Sequence, residues 1–361
     1  MSMDGLEETA PPKARSSLVY PLGEPPAAGE TREIAPGGPN SILWARMPLP
    51  FVLQWINVWL LEDAEGWTIV DTGLGMEASR EHWRTIFDSP ALKGKPVLRV
   101  ICTHMHPDHV GLAGWITRKF DCRLWMSRLE YFACRMLVAD TGREAPADGV
   151  RFYRAAGWDE DALDSYRVRF GGFGKVVSRL PDGFHRLSEG DVLDIGGRTW
   201  RVVVGNGHSP EHACLLCEEL GLFISGDQLL PRISSNVSVF PTEPDADPLS
   251  DWLASCAKLK GAIPADVLVL PSHNEPFTGA HARLQDLIDG HERGLSRLEA
   301  RLAQEPRRAV DLFVAIFARK IGPDLIGMAT GETIAHLNCL IGRGRARRTL
   351  TPEGIAYYES A

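Results

Sequence analysis

Three imidazoles and a carboxylate fall within six residues in the stretch Thr103-His104-Met105-His106-Pro107-Asp108-His109-Val110-Gly111. Such a density of nitrogen and oxygen donors is the chemistry of a metal site. The preceding run, Val97-Leu98-Arg99-Val100-Ile101-Cys102, is β-branched and apolar and predicts a buried strand. The donors therefore emerge where a strand ends, the edge at which ligands collect in α/β sheets. His104 and His106, two apart on extended backbone, point to one side and can share an ion. Pro107 then turns the chain so that Asp108 and His109 face a neighbouring point, and two adjacent ions are implied. A solvated or core histidine would explain one such residue. Four donors in six residues after a strand are better explained by a metal.

The elements that must position these donors repeat the pattern. Thr199 to Val204 runs into Gly205-Asn206-Gly207-His208, Leu222-Phe223-Ile224-Ser225 into Gly226-Asp227, and Val267-Leu268-Val269-Leu270 into Pro271-Ser272-His273. Trp67-Thr68-Ile69-Val70 ends in Asp71 and a glycine-rich turn. A buried imidazole or carboxylate costs several kcal/mol unless coordinated or hydrogen-bonded, so its recurrence at strand ends calls for a shared ligand.

In this order, a strand ending in Asp, THxHxDH, a GH turn, a GD and a late His, the chain from Asp71 to His273 resembles the metallo-β-lactamase superfamily. The resemblance implies an α/β fold, an αββα sandwich with a dinuclear site between its sheets. It implies that His104, His106 and His208 hold one metal, that Asp108, His109 and His273 hold the second, and that Asp227 bridges them. Asp71 would sit behind the ligands. Asp108 and Asp227 are the expected catalytic carboxylates. Two divalent ions roughly 3.5–4 Å apart hold a hydroxide of pKa about 7 and polarise the oxygen it attacks. A bridging carboxylate keeps the cations close, and histidines need outer acceptors such as Asp71 to fix their tautomers. Zinc is the default metal, and iron or manganese suit the same donors.

The rest of the 361-residue chain fits two domains. Residues 1–40 are rich in Pro, Gly, Ala and Glu and read as a tail or loose wrap. Residues 41–285 read as the metallo-β-lactamase domain and 286–361 as a small C-terminal domain. The hairpin turn Asp63-Ala64-Glu65-Gly66 joins two strands. The apolar loop Pro48 to Asn57, with Phe51 and Trp55, is expected as a lip over the site. Helices are predicted over 76–89, up to Phe120, over 127–140 and 158–170, and from Asp247 as N-cap to Lys260. The segment 112–190 is a helical insertion, whose aromatics Trp125, Tyr131, Phe132, Tyr153 and Trp158 serve as pocket wall or core.

Hydrophobic content of 44% and charged content of 24% are ordinary for a globular protein, and a net charge of −8 argues against a whole-surface polyanion binder. Seven scattered cysteines do not make a disulfide framework. Cys214 and Cys217 have CxxC spacing within a strand-like run, where residues three apart face opposite sides, and read as core. No signal peptide or membrane span is evident, so a cytoplasmic protein without a membrane partner is expected.

Beyond Leu295, Leu298 and Leu302 on one helix face lie Leu312, Val314, Ile316 and Phe317, then a helix capped by Thr330 with Ile334, Leu337, Leu340 and Ile341 apolar. Arg343, Arg345, Arg347 and Arg348 follow, then the turn Thr351-Pro352-Glu353-Gly354 and a strand over Ile355 to Tyr358. Three helices and a wing resemble a winged-helix domain, as appended to lactamase-like endoribonucleases. The arginines could touch RNA phosphates; packing as a lid or dimer contact, with the arginines solvated or paired with the acidic body, is the preferred reading. Arg232 and Asn236, just after Asp227, lie within reach of a substrate or hold a loop.

The expected function is hydrolysis of an ester-type bond, a thioester or lactone, in a small molecule. The alternatives are a metal-dependent endoribonuclease and a non-catalytic metal-binding regulator. A mononuclear iron dioxygenase of the same superfamily would use only part of the ligand set. The motif is similar to glyoxalase II around the metals, without that family's basic glutathione-binding tail.

Overall fold

The computed structural model describes residues 18–34, 40–50 and 52–361. Phe51 and Pro36 to Pro39 lie outside the described residues. The first sheet contains, in spatial order, β1 (Arg32–Glu33), β2 (Ile42–Pro48), β3 (Trp55–Glu62), β4 (Trp67–Val70), β5 (Val97–Ile101), β6 (Arg123–Ser127) and β7 (His185–Leu187). Five strands form the second: β8 (Val192–Ile195), β9 (Arg198–Gly205), β10 (His212–Cys217), β11 (Leu222–Gly226) and β12 (Leu268–Pro271), ordered β12-β11-β10-β9-β8.

Alternation along the strands makes the sandwich. Ile42 and Trp44 of β2 and Trp59 and Leu61 of β3 point inward with Trp200, Val202, Leu215 and Ile224 of the second sheet. Leu43, Ala45, Ile56, Val58 and Leu60 point outward beneath α1 (Glu77–Phe87) and, past the single turn α2 (Pro107–Val110), α3 (Ala113–Phe120) and α4 (Arg128–Ala139). Period-two side chains thus feed two cores from one strand. Cys214 joins the outer core and Cys217 the inner one, so the CxxC pair is split by the sheet.

The insertion continues through α5 (Ala147–Ala155) and α6 (Glu160–Arg169). Its aromatics mostly pack: Tyr131 and Trp158 are buried, while Phe132 remains 57% exposed. The second sheet is covered by α7 (Pro248–Ala262), α8 (Ala280–Leu302) and, after the short turn α9 (Phe313–Ile316), α10 (Ile326–Gly342). Asp247 caps α7, accepting from the Ser250 N–H. The chain ends in an antiparallel hairpin of β13 (Ala346–Leu350) and β14 (Ala356–Ser360).

Some expectations are corrected. Thr330 is not an N-cap: α10 begins one turn earlier, and the Thr330 hydroxyl donates to the Ile326 carbonyl while accepting from Trp158 Nε1 at 2.8 Å. A residue type suited to capping is used here to tie α10 to the insertion. Leu312 to Phe317 form no extended helical face, only a 3-10 turn followed by one α turn, with Val314 71% exposed. Helix α8 runs through the expected boundary at 285/286. Residues 18–34 attach by an isolated bridge between Val19 and Thr278, by β1 on β2, and by Arg46 Nε donating to the Pro26 carbonyl.

Candidate metal centre

All seven donors converge. His104, His106, His208 and Asp227 bring one ligand atom each to within 4.8 Å of one another, and Asp108, His109 and His273 do the same beside them. β5 delivers the first cluster, with Pro107 starting α2 so that Asp108 and His109 turn inward. Gly207, at φ +101°, precedes His208 where a Cβ would come 2.5 Å from that of Trp252, and Gly226, at φ +53°, precedes Asp227 where a Cβ would strike the His212 ring. Only glycine fits either approach.

The tautomers are set from outside. His109 Nδ1 donates to Asp71 Oδ2 at 2.8 Å, His208 Nδ1 to the Asn236 carbonyl at 2.7 Å, and His273 Nδ1 to the Trp55 carbonyl at 3.1 Å. Each Nε2 is thereby turned to the centre: His208 lies 3.4 Å and His109 3.5 Å from Asp227 Oδ2, and His273 lies 3.6 Å from Asp227 Oδ1. Asp227 accordingly stands between the two groups. Asp71 also accepts from the Thr103 amide at 2.8 Å, from a left-handed backbone at φ +61°. Such a conformation in a non-glycine residue costs about 1–3 kcal/mol and persists where function holds it.

Burial disfavours charge here, and the neighbours decide what remains. Burial and the surrounding imidazoles hold His104 well below the usual histidine range and His106 down to about 3. Against burial, Asp71, Asp227 and Asp108 hold His109 well above it, and Asp227 and Asp108 raise His273. Against the same penalty, His109 and His273 hold Asp108 down to about 2, and His273 and His109 keep Asp227 well below the carboxylate range. The two carboxylates thus stay ionised and draw His109 and His273 toward the charged form, so the pocket has a demand for positive charge that a bound cation would meet in their place. His109 Nε2, His208 Nε2 and Asp227 Oδ1 are buried and make no hydrogen bond. Orphaned donor atoms aimed at one point fit divalent metal ions.

Two residues escaped the sequence reading. Glu130, on α4 and fully buried, accepts the Met105 N–H at 2.9 Å and the Glu211 N–H at 2.7 Å, stapling the first ligand loop to the turn after His208; burial raises its pKa. His212 Nε2 accepts the Asp227 N–H at 3.0 Å, and its ring stacks on His104 at 4.7 Å. A lone glutamate in a helical window carries no signal in sequence. His212 stands four residues after His208, but only the pairing of β10 with β11 brings the Asp227 N–H to it. The two softer candidates have structural partners: Arg232 Nε donates to Glu275 at 3.0 Å, and Asn236 Nδ2 to Glu332 at 2.8 Å. Trp55, from the expected lip, does reach the centre, through its carbonyl on His273, and beside it Val52 and Leu53 are exposed.

An αββα sandwich with this cluster at its strand ends defines a metal-dependent hydrolase. The family model described as "Metallo-beta-lactamase superfamily" matches residues 56–273, and the chain belongs to that superfamily. A second, "Metallo-beta-lactamase-like, C-terminal domain", matches residues 295–361. A beta-lactamase domain protein from Burkholderia ambifaria is similar in structure, with a TM-score of 0.86 and 42% identity over 95% of this chain and 98% of that one. The "Probable metallo-hydrolase YqjP" of Bacillus subtilis is 24% identical over 83% of this chain and 92% of its own length. An acyl-coenzyme A thioesterase, MBLAC2, of Gallus gallus is 26% identical over 61% of this chain and 73% of its own. Among the described residues no helix is long and apolar enough to cross a membrane.

Proposed function

We propose that the protein hydrolyses the thioester of a small acyl donor at a dinuclear metal centre, a lactone being the related alternative. The observation that carries this reading is Asp227, whose two oxygens face donors of both groups. In this reading His104, His106 and His208 hold one ion, Asp108, His109 and His273 the other, and Asp227 both. When bound, the ions lower the pKa of a water and neutralise charge developing on the carbonyl oxygen. Zinc suits the imidazole-rich set.

The chain's own groups supply the rest. Asp71 holds His109 in the tautomer that offers Nε2, and Asn236 and Trp55 do so for His208 and His273. Asp108 Oδ2 lies 3.4 Å from His273 Nε2 and 3.8 Å from His109 Nε2, so this carboxylate stays ionised against the second group and would help to hold its ion. Glu130 and His212 keep the ligand loops in register.

The thioester is favoured over RNA by the relatives and by the C-terminal arginines, each of which already pairs with a carboxylate. The test is turnover of an acyl-thioester and lactone panel beside a labelled single-stranded RNA, with metal-replete enzyme and Asp227→Ala as control. Thioester cleavage lost in the variant is expected; cleavage of RNA alone would overturn the reading.

A further inference from the structure

Away from the metal cluster, a cavity of about 280 Å³ opens where α8 and α10 meet the loop that follows Asp227. Its wall contains a chain of hydrogen bonds with fixed direction. His336 Nδ1 donates to the Glu332 carbonyl at 2.8 Å, so its Nε2 accepts from His291 Nδ1 at 3.2 Å, and His291 Nε2 in turn accepts from Ser234 Oγ at 3.3 Å. Burial keeps both imidazoles neutral, lowering His291 to about 3 and His336 to about 4, and pushes Glu332 up to about 7.

The cations are therefore the arginines. Arg283 is committed to the loop, donating to the Leu230 and Ile233 carbonyls. Arg232 pairs with Glu275 and lies 4.8 Å over the Tyr20 ring. Arg297 gives only Nε, to the Ala315 carbonyl at 2.6 Å, and among the described residues no carboxylate pairs with it.

A second observation concerns room. Gly290 and Gly294, one turn apart on α8, both line the cavity. Glycine inside a helix weakens it relative to alanine. At Gly294 a Cβ would press on His336 at 3.3 Å, but at Gly290 the nearest atom is an arginine nitrogen 3.9 Å away. Packing does not demand glycine at 290, and the space it leaves is available to a ligand. Asn236 links the cavity wall to the metal cluster, its side chain donating to Glu332, which lines the cavity, and its carbonyl accepting from His208.

We propose that this cavity receives the anionic end of the substrate's thiol half, a phosphate or carboxylate bound by Arg297, while the acyl thioester lies at the metal cluster. The proposal rests on the thioester reading above. Phosphate and carboxylate are recognised by the same planar guanidinium chemistry.

Three thioesters of one acyl group separate the sources: the coenzyme A thioester (phosphate), the glutathione thioester (carboxylate) and the uncharged N-acetylcysteamine thioester. In Arg297→Ala the kcat/KM preference for whichever anionic thioester the enzyme favours, measured against the uncharged one, is expected to fall about tenfold, as loss of one charge-assisted contact entails. The change should lie in KM, and Gly290→Leu, which fills the cavity, should reproduce it. A preference that is absent in the wild type, or unmoved in both variants, overturns the proposal. If no thioester is turned over, the thioester reading has failed; calorimetric titration of free coenzyme A and glutathione into metal-replete protein then decides the subsite. Binding lost in Arg297→Ala supports it, and no binding to the wild type ends it.

Discussion

The metal cluster and the C-terminal arginine run look equally chemical in sequence, and the structure treats them oppositely. In the cluster, buried Nε2 and Oδ1 atoms face one another without a hydrogen bond. In the run, Arg343 pairs with Glu292, Arg345 with Glu299, Arg347 with Glu359 and Arg348 with Asp245. A clustered charge that finds its own partner has been answered by the fold; one left orphaned in the interior awaits a ligand.

The contrast is sharpened most by Asp227→Ala, which should remove bound metal and reduce thioester turnover to background, read by elemental analysis beside a rate assay. Full activity in that variant would break the comparison at its strong end. Asp71→Ala should cost about 10–100-fold in metal affinity or turnover, the usual penalty for losing a group that orients a ligand. Its apo stability, measured in parallel, separates loss of metal from loss of fold.

Glu130→Ala leaves the buried Met105 amide and the half-buried Glu211 amide without their acceptor, at about 1–3 kcal/mol for the buried one and less for the other. Denaturant unfolding of the metal-free protein reads that loss. Glu332 tests pH. Its folded pKa of about 7 lies above the ordinary 4.5, so the folded state holds its proton more tightly than the unfolded chain. That contribution is present below pH 4.5 and is lost as pH rises through 7, a fall of roughly 3 kcal/mol that Glu332→Gln should flatten. Replacing Arg345, Arg347 and Arg348 with alanine comes last, at about 0.2–1 kcal/mol per exposed pair and with thioester turnover intact. Complete loss of turnover there would undo the packing reading.

How much could be read in advance follows from the same physics. The convergence of the candidate donors was legible because each sits where an apolar strand stops, a local signal repeated at His104, His208, Asp227 and His273. The two-faced strands were legible from alternation, as Cys214 and Cys217 illustrate. Glu130 was not, because its value lies in two amides, one 25 and one 81 residues away. Thr330 misled because a good capping residue also serves inside a helix when a tryptophan N–H needs an acceptor. The junction cavity was invisible for a similar reason: Ser234, His291 and His336 are brought together across separations of 57 and 45 residues.

The most direct test of the central claim is the metal stoichiometry of the purified chain, by elemental analysis after reconstitution and removal of free ion. The two-centre account expects two divalent ions per wild-type chain and loss of both in Asp227→Ala. A single ion per chain, retained when Asp227 is replaced, would contradict it.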